Sequence, residues 1–163
     1  MHPGTLRFAE YKETILQLKR QWNSEFHLLF LDFDGVFIVP RKEKKELLTR
    51  IAKLCKTYHL QAVITSTHRF DMIKCKQLLS AYEINVIGRT ELEGNDRNEQ
   101  IYNYLKTHPF HHFVILDDMF LAQFQDYAVH CDFFTGFDET AYQKAVEILE
   151  NQKEEEEYDC SCR

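Results

Sequence analysis

Two aspartates stand at the end of an apolar run: His27-Leu28-Leu29-Phe30-Leu31 leads directly into Asp32-Phe33-Asp34-Gly35-Val36. Alternate residues of an extended strand share a face, so both carboxylates emerge on one side of the backbone. Two like charges held that close demand a cation. A second acidic pair, Asp117-Asp118, closes the apolar run Phe113–Leu116 in the same way. Together Asp32, Asp34, Asp117 and Asp118 suit Mg²⁺, a hard cation that takes a few carboxylates and fills its other positions with water and substrate phosphate. Gly35 lets the backbone turn tightly away from the strand.

The elements that must position these groups follow from hydrophobic period. Residues 7–22 place Phe8, Tyr11, Ile15, Leu18 and Trp22 at steps of three and four, which predicts an amphipathic helix ahead of the first strand. Residues 27–31 read as a strand covered on both faces. Helical and strand patterns then alternate: helix Lys42–Tyr58, strand Gln61–Thr65, helix Phe70–Tyr82, strand Ile84–Ile87, helix Asp96–Thr107 and strand Phe113–Leu116. A helical stretch over Asp118–Tyr127, a short strand Ala128–Cys131 and a closing helix Glu139–Asn151 complete the pattern. This alternation predicts an α/β domain, a Rossmann-like doubly wound parallel sheet.

In such sheets ligands bind beyond the carboxyl ends of the strands. The candidate site therefore gathers Asp32 and Asp34 from the first strand, Thr65, Ser66 and Thr67 from the second, and Asp117 and Asp118 from the fourth. Arg97, entering the third crossover helix, supplies a cation; Arg69 and Arg89 compete for that role.

The ordered set Asp-x-Asp, Ser/Thr, Arg, Asp-Asp resembles the haloacid dehalogenase (HAD) superfamily over about Leu28 to Leu149. Within it, Phe30-Leu31-Asp32-Phe33-Asp34-Gly35-Val36, the turn Thr65-Ser66-Thr67-His68-Arg69 and Leu116-Asp117-Asp118 are most similar to the HAD domain of Swiss-army-knife RNA-repair proteins. His68 stands where that pattern has Trp.

The resemblance implies an Mg²⁺-dependent phosphatase. Asp32 is implied as nucleophile, forming an aspartyl-phosphate, and Asp34 as its acid–base partner. Asp32, the Asp34 backbone carbonyl and Asp117 are implied as metal ligands. Ser66 and Arg97, with Thr67 and Arg69 beside them, are implied to hold the phosphoryl oxygens. The intervals Asp34–Ser66 and Ser66–Arg97 are filled by ordinary crossovers, leaving no room for a large cap. An open site suits a large or exposed phosphorylated substrate: a nucleic-acid end, a nucleotide or a phosphoprotein. The alternative is a noncatalytic binding or regulatory domain of the same fold.

Plainer readings stand beside these. Asp118 is read either as a metal ligand or as the cap of a following helix. Arg97 has an alternative as an exposed helical charge. His108, His111 and His112 read as solvent-exposed loop histidines, because the sequence supplies no convincing carboxylate or thiol partner. Beside the phosphate site, His68 reads equally as a proton shuttle or a structural residue. Phe133, Phe134, Phe137 and Tyr142 read as packing residues, with base stacking as the functional alternative. The run Arg41, Lys42, Lys44, Lys45 reads as the solvated start of a helix.

At 163 residues the chain fits one domain, and 44% hydrophobic with 28% charged residues excludes a membrane-protein composition. No apolar run approaches the roughly 20 residues that span a bilayer, and Met1–Arg20 lacks the apolar core of a secretory signal. The expected location is cytoplasmic. Five cysteines, an odd number without zinc-finger spacing, suit reduced thiols. A net charge of −6 disfavours indiscriminate binding to nucleic-acid backbone while leaving a phosphorylated end as a partner. Residues 1–24 are expected as a helix packing on the core, 25–151 as the catalytic domain, and 152–163 as an acidic, mobile tail.

Overall fold

A computed structural model describes residues 8–67, 71–91 and 96–161. Its centre is a five-stranded parallel sheet in the order β3-β2-β1-β4-β5, with β1 at His27–Leu31, β2 at Leu60–Ile64, β3 at Val86–Arg89, β4 at Phe113–Asp117 and β5 at Ala128–His130. The helices are α1 (Phe8–Trp22), α2 (Lys45–Tyr58), α3 (Met72–Ser80), α4 (Arg97–Thr107) and α5 (Glu139–Ser161), with a short 3₁₀ turn at Ala122–Phe124.

The near-continuous apolar character of β1 and β4 has its reason in two separate cores. Leu28 and Phe30 of β1 and Phe113 and Ile115 of β4 pack with Tyr11 and Ile15 of α1 and Ile101 and Leu105 of α4. The alternate residues, Leu29, Leu31, Val114 and Leu116, pack with Leu47, Ile51 and Leu54 of α2 and Ala145, Ile148 and Leu149 of α5. A strand buried on both faces must be apolar at every position, and the polar residues are displaced to its ends. From β1 the sheet continues through β2 and β3 in one direction and through β4 and β5 in the other. The order reverses between β1 and β4, and the crevice beyond their carboxyl ends is the natural ligand position.

Residues 32–44 join β1 to α2 as a compact loop and not as a cap domain. The backbone N–H groups of Val36, Phe37 and Ile38 all donate to the Phe33 carbonyl at 3.1 Å, and Gly35 N–H donates to Ile38 O at 3.0 Å. Val36 and Phe37 are buried beneath it.

Several expected boundaries shift for identifiable reasons. Asp96 is the N-cap of α4, accepting from Glu99 N–H at 2.9 Å, so the helix proper starts at Arg97. Asp71 caps α3 likewise, accepting from Lys74 N–H at 3.1 Å. The helix expected over Asp118–Tyr127 reduces to the 3₁₀ turn, because Asp117 bends the chain by accepting from Met119 N–H at 2.9 Å.

The C-terminal correction is larger. The sequence predicted a helix ending at Asn151 and a mobile tail from 152; instead α5 runs to Ser161. Gln152 is 3% exposed and clamps the first residue of β4, accepting from Phe113 N–H at 3.1 Å and donating to Phe113 O at 2.7 Å. A side-chain amide that satisfies both backbone groups of a buried residue holds the helix against the sheet past the last apolar side chain. No helix among the described residues is long and apolar enough to cross a membrane. Cys55, Cys75 and Cys131 are buried.

Candidate active site

Asp32 is the first residue beyond β1 and Asp117 the last of β4, and the two adjacent strand ends bring them together. Asp32 N–H donates to Leu116 O at 3.1 Å, extending the β1–β4 ladder by one step. Asp32 is 5% exposed and Asp117 fully buried. Carboxylate oxygens of Asp32, Asp117 and Asp118 all lie within 4.8 Å of one another. Arg97, at the first turn of α4, inserts its guanidinium between them: Nη1 lies 2.5 Å from Asp117 Oδ2 and 3.5 Å from Asp32 Oδ2.

Three carboxylates and one guanidinium leave an excess of negative charge in a largely buried site. Burial, then the neighbouring Asp117, pushes the Asp32 carboxyl up to about 8, while Arg97 pulls the other way and a hydrogen bond to Asp118 favours the protonated form. Asp117 is raised too, chiefly by burial, with Arg97 and the Met119 N–H opposing. Arg97 is held more firmly charged than usual, because attraction to Asp117 and Asp32 outweighs its own burial. Such a site binds either a proton or a further cation. Its all-oxygen donor set, buried on one side and with Asp118 partly exposed on the other, fits Mg²⁺.

Gly35 is required by the same cluster. It adopts φ +78°, and a β-carbon there would fall 2.5 Å from the Asp118 Cβ. Asp118 does not cap a helix: the following 3₁₀ turn, Ala122–Phe124, has Leu121 as its N-cap and no side-chain cap. Its carboxylate joins the acidic cluster instead. The carboxylate of Asp34 is outside that group, and its residue is partly exposed beside it on the loop. The exposed-charge alternative for Arg97 fails, since its side chain is only 13% exposed and engaged with both acids.

Thr65 and Ser66 follow β2, whose last residue Ile64 pairs with Leu31, so they reach the same sheet edge as Asp32. Both are fully buried, whereas Thr67 is exposed. Arg69 and His68 lie outside the described residues. Arg89, at the end of β3, is exposed.

Among the other candidates, Arg41 and Lys42 are exposed in the loop before α2, which starts at Lys45 and not at Lys42, and Lys45 is exposed as its first residue. Phe137 and Tyr142 are buried packing residues, but Phe133 and Phe134 are 41% and 72% exposed, edge to face with ring centroids 5.3 Å apart. Met119 and Phe120, directly after the acidic pair, are exposed as well and were not singled out by sequence. Their position after Asp117-Asp118 was the available signal.

The histidine expectation needs correction. His108 is exposed, but His112 is buried and His111 half-buried, and both Nε2 atoms meet Glu156 Oε2, at 2.9 Å from His111 and 3.0 Å from His112. The carboxylate partner was hidden in the segment read as a tail. The steps of three and four through Tyr142, Ala145, Leu149, Gln152 and Glu156 carried the signal.

Residues 28–142 match the family described as the HAD domain in Swiss Army Knife RNA repair proteins. No curated protein and no solved structure matches the chain. The match spans β1 with its Asp-x-Asp loop, β4 with its acidic pair, and the start of α5. The matched segment thus coincides with the end of the sheet that carries the charged site, and the chain belongs to the family described as the HAD domain in Swiss Army Knife RNA repair proteins.

Proposed function

We propose that the protein is a phosphomonoester hydrolase working through an aspartyl-phosphate on Asp32, with a phosphorylated nucleic-acid end as its leading substrate class and a nucleotide or phosphoprotein behind it. The observation that carries this reading is the buried Asp32 carboxylate, set against Asp117 and Asp118 and braced by Arg97.

Asp32, Asp117 and Asp118, with the Asp34 backbone carbonyl, would hold Mg²⁺. When bound, Mg²⁺ supplies positive charge that keeps Asp32 ionised and neutralises the phosphoryl group. Asp32 attacks phosphorus, and the bond to the leaving oxygen breaks as Asp34 donates its proton to that oxygen. Asp34, now a carboxylate, takes a proton from the water that attacks the aspartyl-phosphate, which regenerates both residues and releases phosphate. Ser66, Thr67 and Arg97 hold the nonreacting oxygens, with Arg69 beside them; with a cation on the carboxylates, Arg97 is freed to turn toward phosphate.

The uncapped loop at 32–44 leaves the mouth open to a polymer end. Exposed Met119, Phe120, Phe133 and Phe134 follow the carboxyl ends of β4 and β5, where aromatic faces would stack on unpaired bases. The family's description as a domain of RNA repair proteins points the same way.

Phosphate release should be measured in Mg²⁺ from an aryl phosphate, nucleotides, 5′- and 3′-phosphorylated oligonucleotides and phosphopeptides, for wild type and Asp32→Asn. Release that disappears with Asp32→Asn and is fastest on oligonucleotide ends is expected. A folded, Mg²⁺-binding wild type that releases no phosphate from any of them would show a binding domain instead.

A further inference from the structure

At the opposite end of the sheet, His111 and His112 precede β4, and Glu156 reaches them from α5. His111 Nδ1 lies 2.9 Å from the carbonyl oxygen of Ser24. A carbonyl only accepts, so the proton of this imidazole sits on Nδ1, and Nε2 carries a lone pair in the neutral ring. In the neutral ring that lone pair faces Glu156 Oε2 at 2.9 Å; a second ring proton would make the contact an imidazolium–carboxylate pair, and a metal ion would take both atoms as ligands. His112 Nε2 points to the same oxygen at 3.0 Å. Its ring is fixed by stacking on His27, with centroids 4.9 Å apart and planes inclined by 14°.

We infer that His111 Nε2, His112 Nε2 and a Glu156 carboxylate oxygen form a Zn²⁺ site, separate from the acidic site and independent of the proposed phosphatase activity.

Two imidazoles and a carboxylate form a donor set of borderline softness, which selects zinc over Mg²⁺. All three ligand atoms lie within 4.8 Å of one another. Metal bonds of about 2.0–2.1 Å in a tetrahedron place ligands about 3.3 Å apart, so separations of 2.9 and 3.0 Å need to open by only a few tenths of an ångström. The Nδ1–H bond from His111 to a backbone carbonyl is the kind of outer contact that orients a ligating histidine and raises its basicity. The ligands come from two distant parts of the chain, and His111 and Glu156 line a cleft of ≈ 1050 Å³ between α1 and α5. Three protein ligands leave a fourth position for water. Zinc there would clasp the last turns of α5 to the sheet.

The test is calorimetric titration of the full chain with Zn²⁺, carrying Cys160→Ser and Cys162→Ser to remove competing thiols and in excess Mg²⁺ to occupy the carboxylates. One Zn²⁺ per chain is expected. Glu156→Gln, a half-exposed change that leaves the core intact, and His111→Ala should each weaken binding by about 100-fold or more, as befits loss of a direct ligand. Co²⁺ substituted for Zn²⁺ should give the visible d–d bands of a tetrahedral site, lost in both variants. Absence of Zn²⁺ binding, or binding that both variants retain, overturns the assignment.

Discussion

Gly35 and Asp118 compete for the same space: a β-carbon on the glycine would lie 2.5 Å from the Asp118 Cβ and 2.8 Å from its Oδ2. The loop after β1 and the acidic pair after β4 are therefore fitted to each other at the atomic level. Gly35→Ala adds this clash to a φ of +78° that side chains rarely adopt. A loss of about 1–3 kcal/mol in urea unfolding is expected. Mg²⁺ affinity should fall with it, since Asp118 must move, and a stability or Mg²⁺ titration indistinguishable from wild type would separate the two loops.

Arg97 neutralises the acidic site from within. Arg97→Met removes the positive partner of two buried carboxylates, which costs about 3–5 kcal/mol when the charges are left uncompensated. The loss should be largest in chelator and shrink in Mg²⁺. Paired urea melts with EDTA and with Mg²⁺ measure it, and equal losses in both would deny that the cation and the guanidinium serve the same charges.

The pH dependence follows from Asp32. Its folded pKa of about 8 lies above its ordinary 3.8, so between these values the native chain holds more proton than the unfolded one. Metal-free stability should accordingly fall as pH rises from about 4 toward 8. Mg²⁺ should replace the proton and flatten the slope. Asp32→Asn, which cannot ionise, should be more stable than wild type in chelator at pH 8. Thermal melts across this range check both statements.

Gln152 joins α5 to the start of β4. Gln152→Leu keeps the volume but strands a buried N–H and carbonyl on Phe113, for an expected cost of about 1–3 kcal/mol. Hydrogen exchange at Phe113 N–H should accelerate strongly, and unchanged protection there would count against the clamp.

The sheet and its active edge were legible because β1 and β4 are buried on both faces and break abruptly at acids; few sequences other than a central parallel strand read as His27–Leu31 followed by Asp32. Arg97 was legible as a site residue from its place at the start of α4, but its ion pairs with Asp117 and Asp32 depend on how that helix leans against the strand ends. At the end of α5 the charge density of Glu154–Glu156 masks the helical period. Residues Glu154–Glu156 look solvated in sequence, whereas Gln152 takes a partner 39 positions upstream, at Phe113, and Glu156 takes partners 45 and 44 positions upstream, at His111 and His112. The helical period places Gln152 and Glu156 on the inward face but does not name partners at that distance.

β1 and β4 carry histidines at or before their first residues and aspartates at or beyond their last. A rise of about 3.3 Å per residue puts the two charged ends about 17 Å apart. At an effective dielectric of about 20, two unit charges at that distance interact with about 1 kcal/mol and two divalent ions with about 4 kcal/mol, which screening over about two Debye lengths at physiological salt cuts to about 0.5 kcal/mol. Distance and ionic screening thus separate the two ends of the sheet, and at physiological salt loading one with a cation changes the affinity of the other by less than about tenfold.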